Sequence, residues 1–167
     1  MVKRITPGIL LVFCATAATV RAEDFTIRLG LKNAHLREVF FGCAAGATSG
    51  YDRRIDDFAP PPGIETGYVG FVSGDKRLPL FYKDIHGMEP EQTWTFHTRV
   101  FEGKPIEISW VPESLPAGWT FTLTSKAGEL DMSRKSSIEI PESEKLVFKA
   151  RKAEQKPGKN GPETKTE

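Results

Sequence analysis

From Phe25 onward apolar and polar positions alternate: Phe25, Ile27, Leu29 and Leu31 share one parity, and Thr26, Arg28 and Lys32 hold the other. A period of two belongs to a strand with one face buried and one in solvent. The rhythm recurs in Trp94 and Phe96 against Thr93, Thr95 and His97, and in Ile106, Ile108 and Trp110 against Glu107 and Ser109. It returns in Trp119, Phe121 and Leu123 against Thr120, Thr122 and Thr124, in Ile138 and Ile140, and in Leu146, Phe148 and Ala150. Further strands are predicted over residues 35–41, 67–73 and 78–84, with glycines such as Gly74, Gly87, Gly103, Gly118 and Gly128 at the breaks. No stretch keeps a period of 3.6 for three turns. About nine short strands at this spacing predict an all-β fold, a two-sheet antiparallel β-sandwich of immunoglobulin-like or jelly-roll-like type. Each sheet must cover its apolar face with another layer.

The two ends break the pattern. Met1, Val2, Lys3 and Arg4 precede an apolar run from Ile5 to Val20, and Arg21 and Ala22 precede the acidic pair Glu23 and Asp24. A basic start, a short apolar stretch and a small residue at the break are the parts of a secretory signal peptide, here expected over residues 1–22. A spanning helix needs roughly 20 predominantly apolar residues, and Pro7 and Gly8 interrupt this shorter run. A lipoprotein signal at Cys14 is disfavoured by Phe13, which stands where a small residue is needed. At the other end, residues 154–167 are polar, rich in Lys, Glu, Gly, Pro and Thr. Such a segment buries too little apolar surface to offset its ordering entropy and reads as a disordered tail. The expected domain is residues 23–153, exported to the periplasm or beyond the cell.

Charge removes two partner classes. Without Lys3, Arg4 and Arg21 the formal charge moves from +1 to −2, which gives no basic balance for nucleic acid and no amphipathic basic stretch for a membrane surface. No membrane span is expected after the signal is removed. Only Cys43 remains in the mature chain, so no intramolecular disulfide can form. Cys43 reads as a small buried hydrophobe.

The longest connection, residues 44–63, carries the densest chemistry. It contains Thr48, Tyr51, Asp52, Asp56 and Asp57 and ends in Pro60, Pro61 and Pro62. Long ordered loops are uncommon and often functional. Three carboxylates beside hydroxyl and glycine residues supply the hard oxygens that Ca²⁺ takes, with Asp52 and Asp56 the leading ligands, although the spacing is not that of an EF-hand. The competing reading is structural: Arg53 and Arg54 neutralise the carboxylates in a capped Ω-type loop pinned by Tyr51 and Phe58.

Elsewhere the chemistry is thinner. His35, His86 and His97 lack metal-ligand spacing, and no serine sits in a G-x-S-x-G context. Glu65, Glu107 and Asp131 qualify as a glycosidase pair only as any acids would, because separation in space defines that pair. Trp94, Trp110 and Trp119 are candidates for stacking on a sugar, yet each shares the parity of apolar neighbours and reads better as core. Thr120, Thr122 and Thr124 form a row on the opposite, solvated face.

Phe41-Gly42 followed by Ala47-Thr48, Gly50, Asp52, Asp56 and the proline run resembles a segment of secreted bacterial β-sandwich accessory modules of immunoglobulin or fibronectin type. Leu115-Pro116-Ala117-Gly118-Trp119, then Asp131-Met132 and Ser136-Ser137, resemble the same modules. Ser49 stands where they often carry an acid. The resemblance implies a sandwich fold and no catalytic role. Three functions are therefore expected in order: a secreted non-enzymatic structural or protein-interaction module, a carbohydrate-binding module assisted by Ca²⁺, and a small secreted hydrolase. The corresponding partners are a protein or an extracellular polymer, with no cofactor beyond Ca²⁺.

Overall fold

The computed structural model describes residues 24–63, 65–74 and 79–153; the expected signal peptide and polar tail lie outside the described residues. Eleven strands run in chain order: β1 (Phe25–Lys32), β2 (Glu38–Cys43), β3 (Asp57–Phe58), β4 (Tyr68–Val72), β5 (Leu80–His86) and β6 (Glu91–Arg99). They continue as β7 (Ile106–Ser109), β8 (Trp119–Ser125), β9 (Gly128–Asp131), β10 (Ser137–Ile140) and β11 (Glu144–Lys152). Among the described residues the one helical element is a short 3₁₀ turn at Pro112–Ser114, and no helix is long and apolar enough to cross a membrane.

The all-β expectation holds, and the sheet is mixed where a purely antiparallel one was expected. The strands join in one continuous, strongly curled path, β10-β7-β1-β2-β5-β4-β6-β11-β8-β9, with β3 on β5. The β2–β5 ladder is parallel, pairing Phe40–Cys43 with Lys83–His86, while the remaining strand ladders are antiparallel. A parallel pair needs a long crossover, and residues 44–79 provide it. The strand predicted at residues 35–41 starts later because Asn33 takes a positive φ of 59° and Leu31 N–H closes a turn onto Arg37 O at 2.8 Å.

Curling brings distant strands face to face over one apolar interior. Phe41 on β2 meets Trp94 of β6 and Phe148 of β11 at ring separations of 4.9 and 5.1 Å. Phe25 on β1 meets Trp119 and Phe121 of β8 at 5.2 and 5.7 Å. These edge-on and tilted geometries suit aromatic quadrupoles. Gly42 has a physical reason to be glycine: a Cβ there would overlap the carbonyl of Phe25 on the paired strand.

Candidate functional site

The 44–58 segment is clamped to the sheet by its own carboxylates. Asp56 is 2% exposed; its Oδ1 accepts Ile85 N–H of β5 at 2.9 Å and its Oδ2 accepts Asp52 N–H at 2.7 Å. Asp52 Oδ2 accepts Thr48 N–H at 2.6 Å and the Thr48 hydroxyl at 3.0 Å. Residues 52–56 close as a helical turn, with Ile55 N–H and Asp56 N–H donating to Asp52 O. Asp57 is exposed on β3 and accepts the Tyr82 hydroxyl at 3.3 Å. Tyr51, Phe58 and Phe81 stack above, with Tyr51–Phe58 at 4.6 Å and Phe58–Phe81 at 4.9 Å.

The capped loop pinned by Tyr51 and Phe58 is therefore present, but its expected ion pairs are not. Arg53 and Arg54 are exposed and pair with no carboxylate among the described residues. Backbone N–H groups satisfy Asp52 and Asp56 instead, and such bonds to an ionised acceptor are strong. A cation would have to compete with those donors. No cluster of three or more metal-capable His, Cys, Asp or Glu groups occurs among the described residues.

Beneath the loop lies a buried polar group that the sequence reading did not assemble: Asp56, Asp84, His86 and Gln92. His86 Nε2 lies 3.3 Å from Asp84 Oδ1, and its Nδ1 lies 3.1 Å from Gln92 Oε1. Gln92 Nε2 donates to Gly87 O at 2.9 Å, which leaves its Oε1 to accept. Both ring nitrogens thus face acceptors, the pattern of an imidazolium. Burial disfavours that charge, yet the hydrogen bond to Asp84 and its field outweigh burial, and the His86 pKa is raised. Asp56 is also raised, first by burial and against its two backbone N–H bonds. The imidazole stacks on Trp94 at 5.0 Å. One sequence signal pointed here: Gln92 sits on the inward parity of β6 with Trp94 and Phe96.

The other candidates are dispersed. His35 packs against Tyr68 at 4.9 Å with the rings tilted, and burial lowers its pKa; His97 lies on the outer parity of β6. Glu107 pairs with Lys32 at 2.9 Å. Asp131 binds Ser133 N–H and hydroxyl at 2.8 and 2.7 Å, and these bonds hold its carboxyl below the usual range. Glu65 is exposed. Cys43 is fully buried, and burial followed by the Asp24 charge pushes its thiol up to about 12, so it carries no thiolate at neutral pH.

Trp94 and Trp110 are buried at 1% and 5% exposure, and Trp110 Nε1 donates to Met132 O at 2.8 Å. Trp119 is half-buried against Phe25. Neither Trp94 nor Trp110 offers a face to a sugar, in agreement with their parity.

The threonine row has company. Residue pairing places Thr122 of β8 beside Lys149 of β11, and Lys149 beside Thr93 of β6. Thr120 is beside Arg151, itself bound to Glu91 at 2.8 Å. A shallow depression of about 190 Å³ lies over this face, lined by Thr120, Thr122, Lys149, Arg151, Glu91 and Glu129. The chain matches no family model, no curated protein and no solved structure.

Proposed function

We propose that the chain is a secreted, non-enzymatic β-sandwich module that contacts another protein or an extracellular polymer through its surface. The interior contacts between β1 and β8, and between β2 and β11, support folding of the curled sheet into two facing layers of immunoglobulin-like or jelly-roll-like type. Export rests on the basic and apolar pattern of residues 1–22.

One observation carries the reading: the groups best suited to acid–base or metal chemistry, exposed Asp57 aside, are engaged as fasteners. Asp52 and Asp56 hold backbone N–H groups, and Asp84 and His86 hold each other beneath the loop. A catalytic dyad must reach a substrate within hydrogen-bond distance, and this one is covered. The loop becomes a fixed platform that displays Tyr51, 47% exposed, together with Arg53 and Arg54.

Thermal unfolding of the full chain with and without millimolar Ca²⁺ tests the metal alternative, and an assay of turnover on a panel of glycosides and esters tests the catalytic one. The expected results are an unmoved midpoint and no turnover. A site whose Kd lies a hundredfold below the ion concentration would add about 2.7 kcal/mol. A midpoint rise of that size, lost in Asp52→Ala/Asp56→Ala, would establish a Ca²⁺ site, and turnover lost on replacing one acid or histidine would end the non-enzymatic reading.

A further inference from the structure

The outer face of β6, β11, β8 and β9 gathers several cations on neighbouring strands. Four residues of β11 alternate outward: Lys145, Val147, Lys149 and Arg151. Threonines flank them in register, with Thr95 and Thr124 beside Val147 and Thr93 and Thr122 beside Lys149. The acids on this face are largely engaged: Glu91 binds Arg151, and Asp131 holds its own turn through Ser133 and Arg134. Lys145, Lys149 and Arg99 form no ion pair among the described residues. Against these three cations stands Glu129, whose carboxylate touches only the Thr124 hydroxyl at 3.4 Å.

We infer that this face binds a carboxylated polysaccharide, with Lys145 and Lys149 meeting carboxylates and the threonine hydroxyls meeting sugar hydroxyls. The inference rests on the non-enzymatic module reading and names its polymer. Charge complementarity sets the sign of the ligand. Hydroxyl rows on both sides of the cations select a glycan, since a hydroxyl both donates and accepts, as sugar hydroxyls do. A single-stranded nucleic acid would need exposed aromatic rings for its bases, and this face presents none. A lipid surface would need apolar side chains to insert, and Val147, the apolar residue of the outward β11 row, is half-buried. Successive outward residues are about 6.5–7 Å apart along a strand, so Lys145 and Lys149 lie about 13–14 Å apart. One short oligosaccharide can therefore touch both.

Native affinity electrophoresis of the full chain through gels containing polygalacturonate, alginate, DNA, anionic phosphatidylglycerol vesicles or neutral dextran tests this. Retardation by the two acidic polymers and not by dextran is expected, falling as salt screens the exposed charges. Lys145→Gln/Lys149→Gln, both at exposed positions, should keep the thermal midpoint and weaken binding about tenfold at low salt. Thr93→Val/Thr122→Val, which leaves every charge in place, should weaken binding severalfold, and unchanged binding would overturn the assignment of a glycan. Equal retardation of the lysine variant overturns the proposal. So does retardation only by DNA or by anionic phosphatidylglycerol vesicles, or by none of the polymers; the module reading would survive that last result, because turnover and Ca²⁺ test it separately. Cleavage of polygalacturonate with lysine-dependent retention would end the non-enzymatic reading and uphold the binding face.

Discussion

Replacing Asp56 with alanine removes the acceptor of two backbone donors at once, and the cost follows from where those donors lie. Ile85 N–H belongs to β5 and is buried with Asp56, whereas Asp52 N–H is in a half-buried turn that water can reach. An orphaned buried donor costs about 1–3 kcal/mol. Losing both, with partial rehydration of the second and relief of the repulsion between Asp56 and Asp84, gives a net loss of about 3 kcal/mol. At roughly 4 °C per kcal/mol for a domain of this size the midpoint should fall by about 12 °C. Asp56→Asn keeps one acceptor oxygen and should lose about half as much. Asp52→Ala releases only the local Thr48 contacts and should cost about 1 kcal/mol. Calorimetry of the three variants gives the order, and amide hydrogen exchange at Ile85 gives the cause, because its protection should drop in Asp56→Ala alone. A midpoint within about 4 °C of wild type for Asp56→Ala, or equal losses for Asp52→Ala and Asp56→Ala, would refute the anchor.

Gly42→Ala drives a Cβ into the Phe25 carbonyl and should cost about 3 kcal/mol or prevent folding; Gly46→Ala meets only open space at a φ of 85° and should cost about 1 kcal/mol, a contrast readable in urea midpoints. Stability should fall as pH rises from His86's ordinary value of 6.5 through its raised folded value, since a raised histidine pKa contributes stability below the unfolded pKa that is lost above the folded one; Asp56, also raised, acts in the same direction as pH rises from 3.8 through its own folded value. Thermal melts at pH 6 and pH 9 should therefore favour pH 6, and His86→Gln should flatten the difference. Iodide should quench emission from Trp119 and leave Trp94 and Trp110 largely untouched, and a Trp119→Phe variant that quenches as wild type does would contradict this packing.

Most of the strands were legible because alternation registers burial directly. Parity alone placed Ile27, Leu29, Phe121, Leu123, Leu146 and Phe148 in the interior, where they lie. Two strands escaped. β3 is two residues inside the long loop, and β9, Gly-Glu-Leu-Asp, is an edge strand whose lone apolar residue gives no period. The direction of β5 against β2 was not legible either, because parity reports which face a residue takes and not which way its neighbour runs. The carboxylate roles were hidden for a related reason. Asp52 and Asp56 read alike as members of an acidic run, yet one ends half-buried in a turn and the other under the loop, a difference made by β5 arriving beside residue 56. Asp84 and Gln92 join them only through the short connection from β5 to β6, two strands that β4 separates in the sheet.

The two charged regions of the domain are consequences of one division. The expected mature chain has a slight excess of acids, and an even surface would present a weakly negative field to any partner. Two of those acids, Asp56 and Asp84, lie inside, where Asp56 accepts the N–H groups of Ile85 and Asp52 and Asp84 faces His86. Removing them from the surface strengthens the positive side of what remains, and the β-sheet register gathers Lys145, Lys149 and Arg99 onto one outer face while Glu91 and Asp131 are tied to local partners. Local field, not net charge, governs what a surface attracts. An overall charge near zero is thus compatible with an anion-seeking face. The same logic links the two regions experimentally. Reversing Lys149 to Glu should repel acidic polymers without moving the thermal midpoint, whereas neutralising Asp56 should lower the midpoint and leave that outer face unchanged.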